Sequence, residues 1–102
     1  MMNMQKMLKQ LQKVQEAIVR VQEELKEERV EATAGGGAVK VVANGHGDLL
    51  QLRIDPSVVN PEDVEVLEDL IVAAVNEVRR QARELSSKKM EEASGVKLPG
   101  LF

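Results

Sequence analysis

The sequence predicts a small α+β domain in the order α-β-β-β-α, with two long helices enclosing a three-stranded antiparallel meander. Three observations carry this. Apolar residues recur every three or four positions towards both ends of the chain, alternate every second position in its middle, and the alternating runs are separated by glycine clusters. With 102 residues, 43% of them hydrophobic and 30% charged, the chain has the size and composition of one globular domain spanning residues 1–102.

The first helix is predicted over about residues 3–28. Met4, Met7, Leu11, Val14, Ile18, Val21 and Leu25 follow one another in alternating steps of three and four. Such a heptad seam predicts close packing along another helix. On the opposite side, at about 100° per residue, Lys6, Lys9, Lys13 and Arg20 form a basic stripe about 21 Å long.

Between about residues 29 and 55 the period becomes two. Val30 to Ala34 form the first strand; Val39, Val41 and Ala43 alternate with Lys40, Val42 and Asn44 in the second, and Leu50, Leu52 and Ile54 with Gln51 and Arg53 in the third. Asn44-Gly45-His46-Gly47 reads as a hairpin turn, because Asn and Gly accept positive φ at little cost.

Asp55-Pro56 ends the sheet, and Asn60-Pro61-Glu62-Asp63 carries a cap, a proline and acids suited to a helix start. The second helix is therefore predicted over about residues 61–93, with Gly95 as its stop and a tail at 95–102. Its segment LIVAAV (Leu70 to Val75) is apolar on every side and calls for burial against the sheet and against a second surface. Leu70, Ile71, Ala74, Val75 and Val78 are the candidate core and dimer residues. Helices of about 39 and 49 Å cannot be covered by strands of about 20 Å. The expected solution is a homodimer with projecting helical arms.

Catalytic chemistry finds no foothold. Gly35-Gly36-Gly37 and Gly45-His46-Gly47 lead into strands, whereas a phosphate-cradling loop leads into a helix. The only histidine, His46, has no second His or Cys beside it and reads as a solvated turn residue. Four serines would have to share that one histidine for any triad, and neighbouring acids such as Glu68 and Asp69 point in different directions on a helix. Met4 and Met7 belong to the seam and read as packing residues, not soft-metal ligands. Without cysteine there is neither disulfide nor thiolate chemistry. No enzyme, metal or cofactor is expected, nor a membrane span or secretory leader, so the expected location is the cytoplasm.

The net charge of −3 conceals an uneven layout. Both ends are basic, whereas the stretch from Asp55 to Val78 holds acids and neither Lys nor Arg. Arg79, Arg80 and Arg83 gather near one flank of the second helix, followed by Lys88 and Lys89. Phe102 is the single aromatic residue, so base-stacking platforms for single strands are lacking. A nucleic-acid partner would then be duplex, held through its phosphates.

The Met/Gln/Lys-rich first helix, AGGGAVKVVANG, LRIDPSVV, LEDLIVAAVNEVRRQ, KKM and the LPGLF tail, in this order and spacing, resemble the YbaB/EbfC family of bacterial nucleoid-associated proteins. The resemblance implies a tweezer-like homodimer that binds duplex DNA and influences nucleoid organisation or gene expression. It places DNA contact on the arms, here Lys6, Lys9, Lys13, Arg20, Arg79, Arg80, Arg83, Lys88 and Lys89, and the protein in the nucleoid. The alternative is a protein-interaction module serving a recombination or replication factor, with DNA binding weak or incidental.

Overall fold

A computed structural model describes residues 3–94, and the predicted order of elements is present. Helix α1 (Met4–Glu27) opens on Asn3, whose side-chain oxygen accepts the Gln5 N–H at 3.0 Å. Strands β1 (Arg29–Ala34), β2 (Val39–Asn44) and β3 (Leu49–Ile54) form one antiparallel sheet in the order β1-β2-β3. A single 3-10 turn (Pro56–Val58) follows, then helix α2 (Val64–Ser94). The predicted stop at Gly95 and the tail lie outside the described residues.

Two local expectations are corrected. Helix α2 begins at Val64, not at Pro61. The Asn60 side chain accepts the Glu62 N–H at 3.0 Å and its carbonyl accepts the Asp63 N–H at 2.9 Å, which closes a turn before the helix can start. In the β2–β3 connection only Gly47 takes positive φ, at 87°. Asn44 contributes through hydrogen bonds instead, its side-chain oxygen accepting from the N–H groups of His46 at 2.9 Å and Asp48 at 3.1 Å.

One face of the sheet is the core. Val39, Val41 and Ala43 of β2 are fully buried with Ala32 of β1 beneath Ala74 and Val78 of α2, while Leu70, Ile71 and Val75 pack half-buried around them. The opposite face is polar, with Lys40 and Glu31 paired at 3.3 Å.

Register places Leu52 opposite Val41 and Ile54 opposite Val39, so β3 carries its apolar side chains to the same face. A shift between Val42 and Ala43 sets Leu49 opposite Ala43, the place the alternation assigns to Leu50. Yet α2 lies over β1 and β2, and Leu49, Leu50 and Leu52 of the edge strand stay exposed. The same holds for part of LIVAAV. Ala74 is fully buried against the sheet, but Val72 on the far side of the helix is 58% exposed.

The helices meet only at their C-terminal ends. At 1.5 Å per residue α1 is about 36 Å long and α2 about 46 Å, but the molecule measures 72 Å along its longest axis. They therefore run antiparallel past each other for about two turns. There Val21 and Leu25 of α1 form a second small core with Met90 of α2, flanked by Leu85 and Ala93. Beyond it the seam continues uncovered in the single chain, where Met4, Met7, Leu11, Val14 and Ile18 are all exposed.

Candidate nucleic-acid interface

The predicted basic residues separate into two groups. Lys6, Lys9 and Lys13 on the free part of α1, and Arg79, Arg83 and Lys88 on α2, are exposed and form no ion pair among the described residues. The others are spent on carboxylates. Arg20 lies 3.9 Å from Glu24 on its own helix. Arg80 hydrogen-bonds Glu77 at 2.6 and 3.0 Å and also Glu84. Lys89 reaches across to α1, 3.3 Å from Glu24 and 3.2 Å from Glu28.

Titration follows these contacts. Hydrogen bonds from Arg80, then Gln81, hold the Glu77 carboxyl at about 2, well below its ordinary 4.5. Hydrogen bonds to Glu28 and Glu24 raise Lys89 above the ordinary lysine range. Cations committed to such pairs have less to offer a phosphate, because a new anion must displace a carboxylate already in place.

Arg79 and Arg83 stand apart from Arg80 although adjacent in sequence. Four residues apart, they lie about 40° from one another on α2, whereas Arg80 is turned about 100° from Arg79 and about 60° from Arg83, towards Glu77 and Glu84. With Ser86 one turn further on, they form one wall of a cleft of about 360 Å³ whose other wall is the β2–β3 turn, residues 45–48. Ala82 forms the floor. The carboxylate in the cleft is that of Asp48, which accepts a hydrogen bond from the Asn44 side-chain amide at 3.1 Å.

The turn also carries α1. The Gly45 N–H donates to the Leu25 carbonyl at 2.8 Å, and the His46 Nε2 lies 2.9 Å from the Gln22 carbonyl. Since a carbonyl only accepts, Nε2 is the protonated nitrogen in that contact. His46 is exposed, as predicted, but its ring is a strut between the hairpin and α1. That contact, like the one from Lys89 to Glu24, joins residues far apart in sequence and leaves no local signal. The pairing of Arg80, which the sequence reading grouped with Arg79 and Arg83, did have a local signal, because acids three residues before and four after a basic residue are its neighbours on a helix.

The fold and its surface define a helix-armed α+β protein with exposed cations outside any ion pair on both helices. The profile of the YbaB/EbfC DNA-binding family matches residues 1–96. A nucleoid-associated protein of Pelotomaculum thermopropionicum is 52% identical over 101 residues, covering 98% of this chain and 96% of the relative. Another, of Moorella thermoacetica, is 54% identical over 99 residues, covering 96% and 95%. Among solved structures, the uncharacterized protein HP0035 from Helicobacter pylori superposes with a TM-score of 0.73 at 27% identity, covering 82% of this chain and 88% of that one. The chain belongs to the YbaB/EbfC DNA-binding family. That family is a DNA-binding one and not a known enzyme family. No helix among the described residues is long and apolar enough to cross a membrane.

Proposed function

We propose that this protein is a nucleoid-associated homodimer that binds duplex DNA mainly through phosphate contacts from Lys and Arg on its helical arms, and so affects nucleoid organisation or gene expression. The observation that carries the reading is the set of uncommitted cations, Lys6, Lys9, Lys13, Arg79, Arg83 and Lys88, on a member of a DNA-binding family. The names of its relatives support the nucleoid as its place.

Dimerisation is supported by what the single chain leaves bare. The outer edge of β3 with Leu49, Leu50 and Leu52, and the outer side of α2 with Val64, Val66 and Val72, are exposed apolar surfaces on the two elements that would have to meet. A twofold pairing there would join two sheets and direct two α1 arms outward.

The test is a salt titration of binding to unrelated duplexes, with the mass measured on the same preparation. The expected result is a dimer whose log affinity falls linearly with log salt, with a slope of about −0.9 for each phosphate neutralised. Arg79→Ala with Arg83→Ala should weaken binding, and Leu52→Asp should shift the mass towards the monomer. No binding at low salt would refute the DNA reading; a wild type of monomer mass would refute the dimer.

The uncovered seam Met4, Met7, Leu11, Val14 and Ile18 favours a second reading, in which the arm holds a recombination or replication protein and DNA binding is incidental. Capture of one such protein after nuclease treatment, lost on Leu11→Asp, would select it.

A further inference from the structure

We propose that the cleft between the β2–β3 turn and α2 seats a single phosphodiester group of duplex DNA, chelated by Arg79 and Arg83 together and supported by the Ser86 hydroxyl. The inference rests on the DNA-binding reading above and goes beyond it by assigning two arginines to one phosphate at the root of the arm.

Geometry supports a shared site. Arg79, Arg83 and Ser86 are spaced four and three residues apart, so they rise along one face of α2 over about 10 Å. The Cβ atoms of Arg79 and Arg83 are about 6 Å apart, within reach for both guanidinium forks to close on one group. Both line the same cleft. A guanidinium presents its donors as a planar fork that matches phosphate oxygens, which a lysine in this place would not do.

The floor is built from small residues. A Cβ placed on Gly47 would stand 4.0 Å from the Ala82 Cβ, and Gly47 holds a φ of 87° that side chains rarely adopt. The space between turn and helix therefore stays open. The rim is anchored on α1 by the Gly45 and His46 contacts, so the cleft has walls from two elements tied to a third.

Charge is matched to one phosphodiester. Two guanidinium groups face one carboxylate, Asp48, which forms no ion pair with either. The cleft thus carries one net positive charge to meet the single negative charge of a backbone phosphate. Arg80 cannot join, because Glu77 and Glu84 hold it on the neighbouring flank.

The experiment compares the salt slope of duplex binding for the wild type, Arg79→Ala, Arg83→Ala, the double variant and Arg80→Ala. If both arginines serve one phosphate, each single variant lowers affinity but keeps the slope, because the remaining fork still holds the group. Only the double variant then loses slope, by about 0.9 for each cleft engaged. Arg80→Ala keeps the slope. Replacing both Arg79 and Arg83 by Lys restores the slope and leaves affinity below wild type. The proposal is overturned if each single variant loses half of what the double variant loses, which means two separate phosphates, or if the double variant keeps the slope. Loss of duplex binding by the wild type itself is a different failure, that of the DNA-binding reading as a whole. All these side chains are exposed, and an unchanged thermal melt establishes that each variant is folded.

Discussion

The root and the tip of α1 carry the same apolar seam and meet opposite fates. At the root, Val21 and Leu25 are buried against Met90 and bonded through the Leu25 carbonyl to the β2–β3 turn. At the tip, Met4 and Leu11 sit at the same heptad spacing and remain 70% and 56% exposed. The difference lies in α2, which is described to Ser94 beside the root, so that the tip has no neighbour among the described residues. A heptad pattern specifies which face of a helix wants cover; it does not specify that the same chain supplies it.

The sharpest way to break this contrast is a matched pair of truncations. Leu25→Ala empties a fully buried site and should cost about 2–5 kcal/mol in chemical denaturation, whereas Leu11→Ala should stay within about 0.5 kcal/mol. Equal losses would mean that the tip is covered in solution and that root and tip do not differ.

A smaller effect is expected at the joint. A Cβ on Gly45 would fall 2.7 Å from both the Leu25 carbonyl oxygen and its Cδ2. Gly45→Ala should therefore push α1 away from the turn at about 1–3 kcal/mol, with faster amide exchange over residues 21–27 as the diagnostic. Unchanged exchange there would show that the root is held by α2 alone.

Smaller still is the contribution of the ion pairs across the root. Lys89→Met removes the bond from α2 to Glu24 and Glu28 and should lower stability by less than Gly45→Ala does, because solvent screens the pairs. Its effect should shrink at high salt, and a salt-independent loss would assign it to packing of the lysine stem.

The smallest effect is one of pH. Glu77 is depressed in the fold, so its pair with Arg80 contributes fully above its ordinary value of 4.5 and is lost as pH falls to about 2. Glu77→Gln should flatten that part of the stability profile. An identical profile would show that the pair contributes nothing measurable to folding.

Much of this was legible. The seam gave the buried face at the root of α1, the alternation gave the strands, and Ala74 and Val78 lie in the core as expected. What escaped was decided by competing local bonds or by contacts between distant residues. Asn60 and the following Asp63 satisfy one another in a turn, so the helix start moved to Val64. Lys88 has Glu84, Glu91 and Glu92 within one turn of helix and Lys89 only Glu92, yet it is Lys89 that finds acids, at the end of α1. The bulge opposite Ala43 gave Leu49 the place that strict alternation assigns to Leu50.

By itself the order of residues determined the elements, the apolar face of each helix and the segregation of basic ends from an acidic middle, because these depend on spacing within a few turns of chain. Tertiary structure alone decided how far α1 overlaps α2, and with it the pairing of Lys89 with Glu24 and Glu28, and it alone set the β2–β3 turn opposite Arg79 and Arg83. Charges act through distance in space, and that distance exists only once the helices have docked.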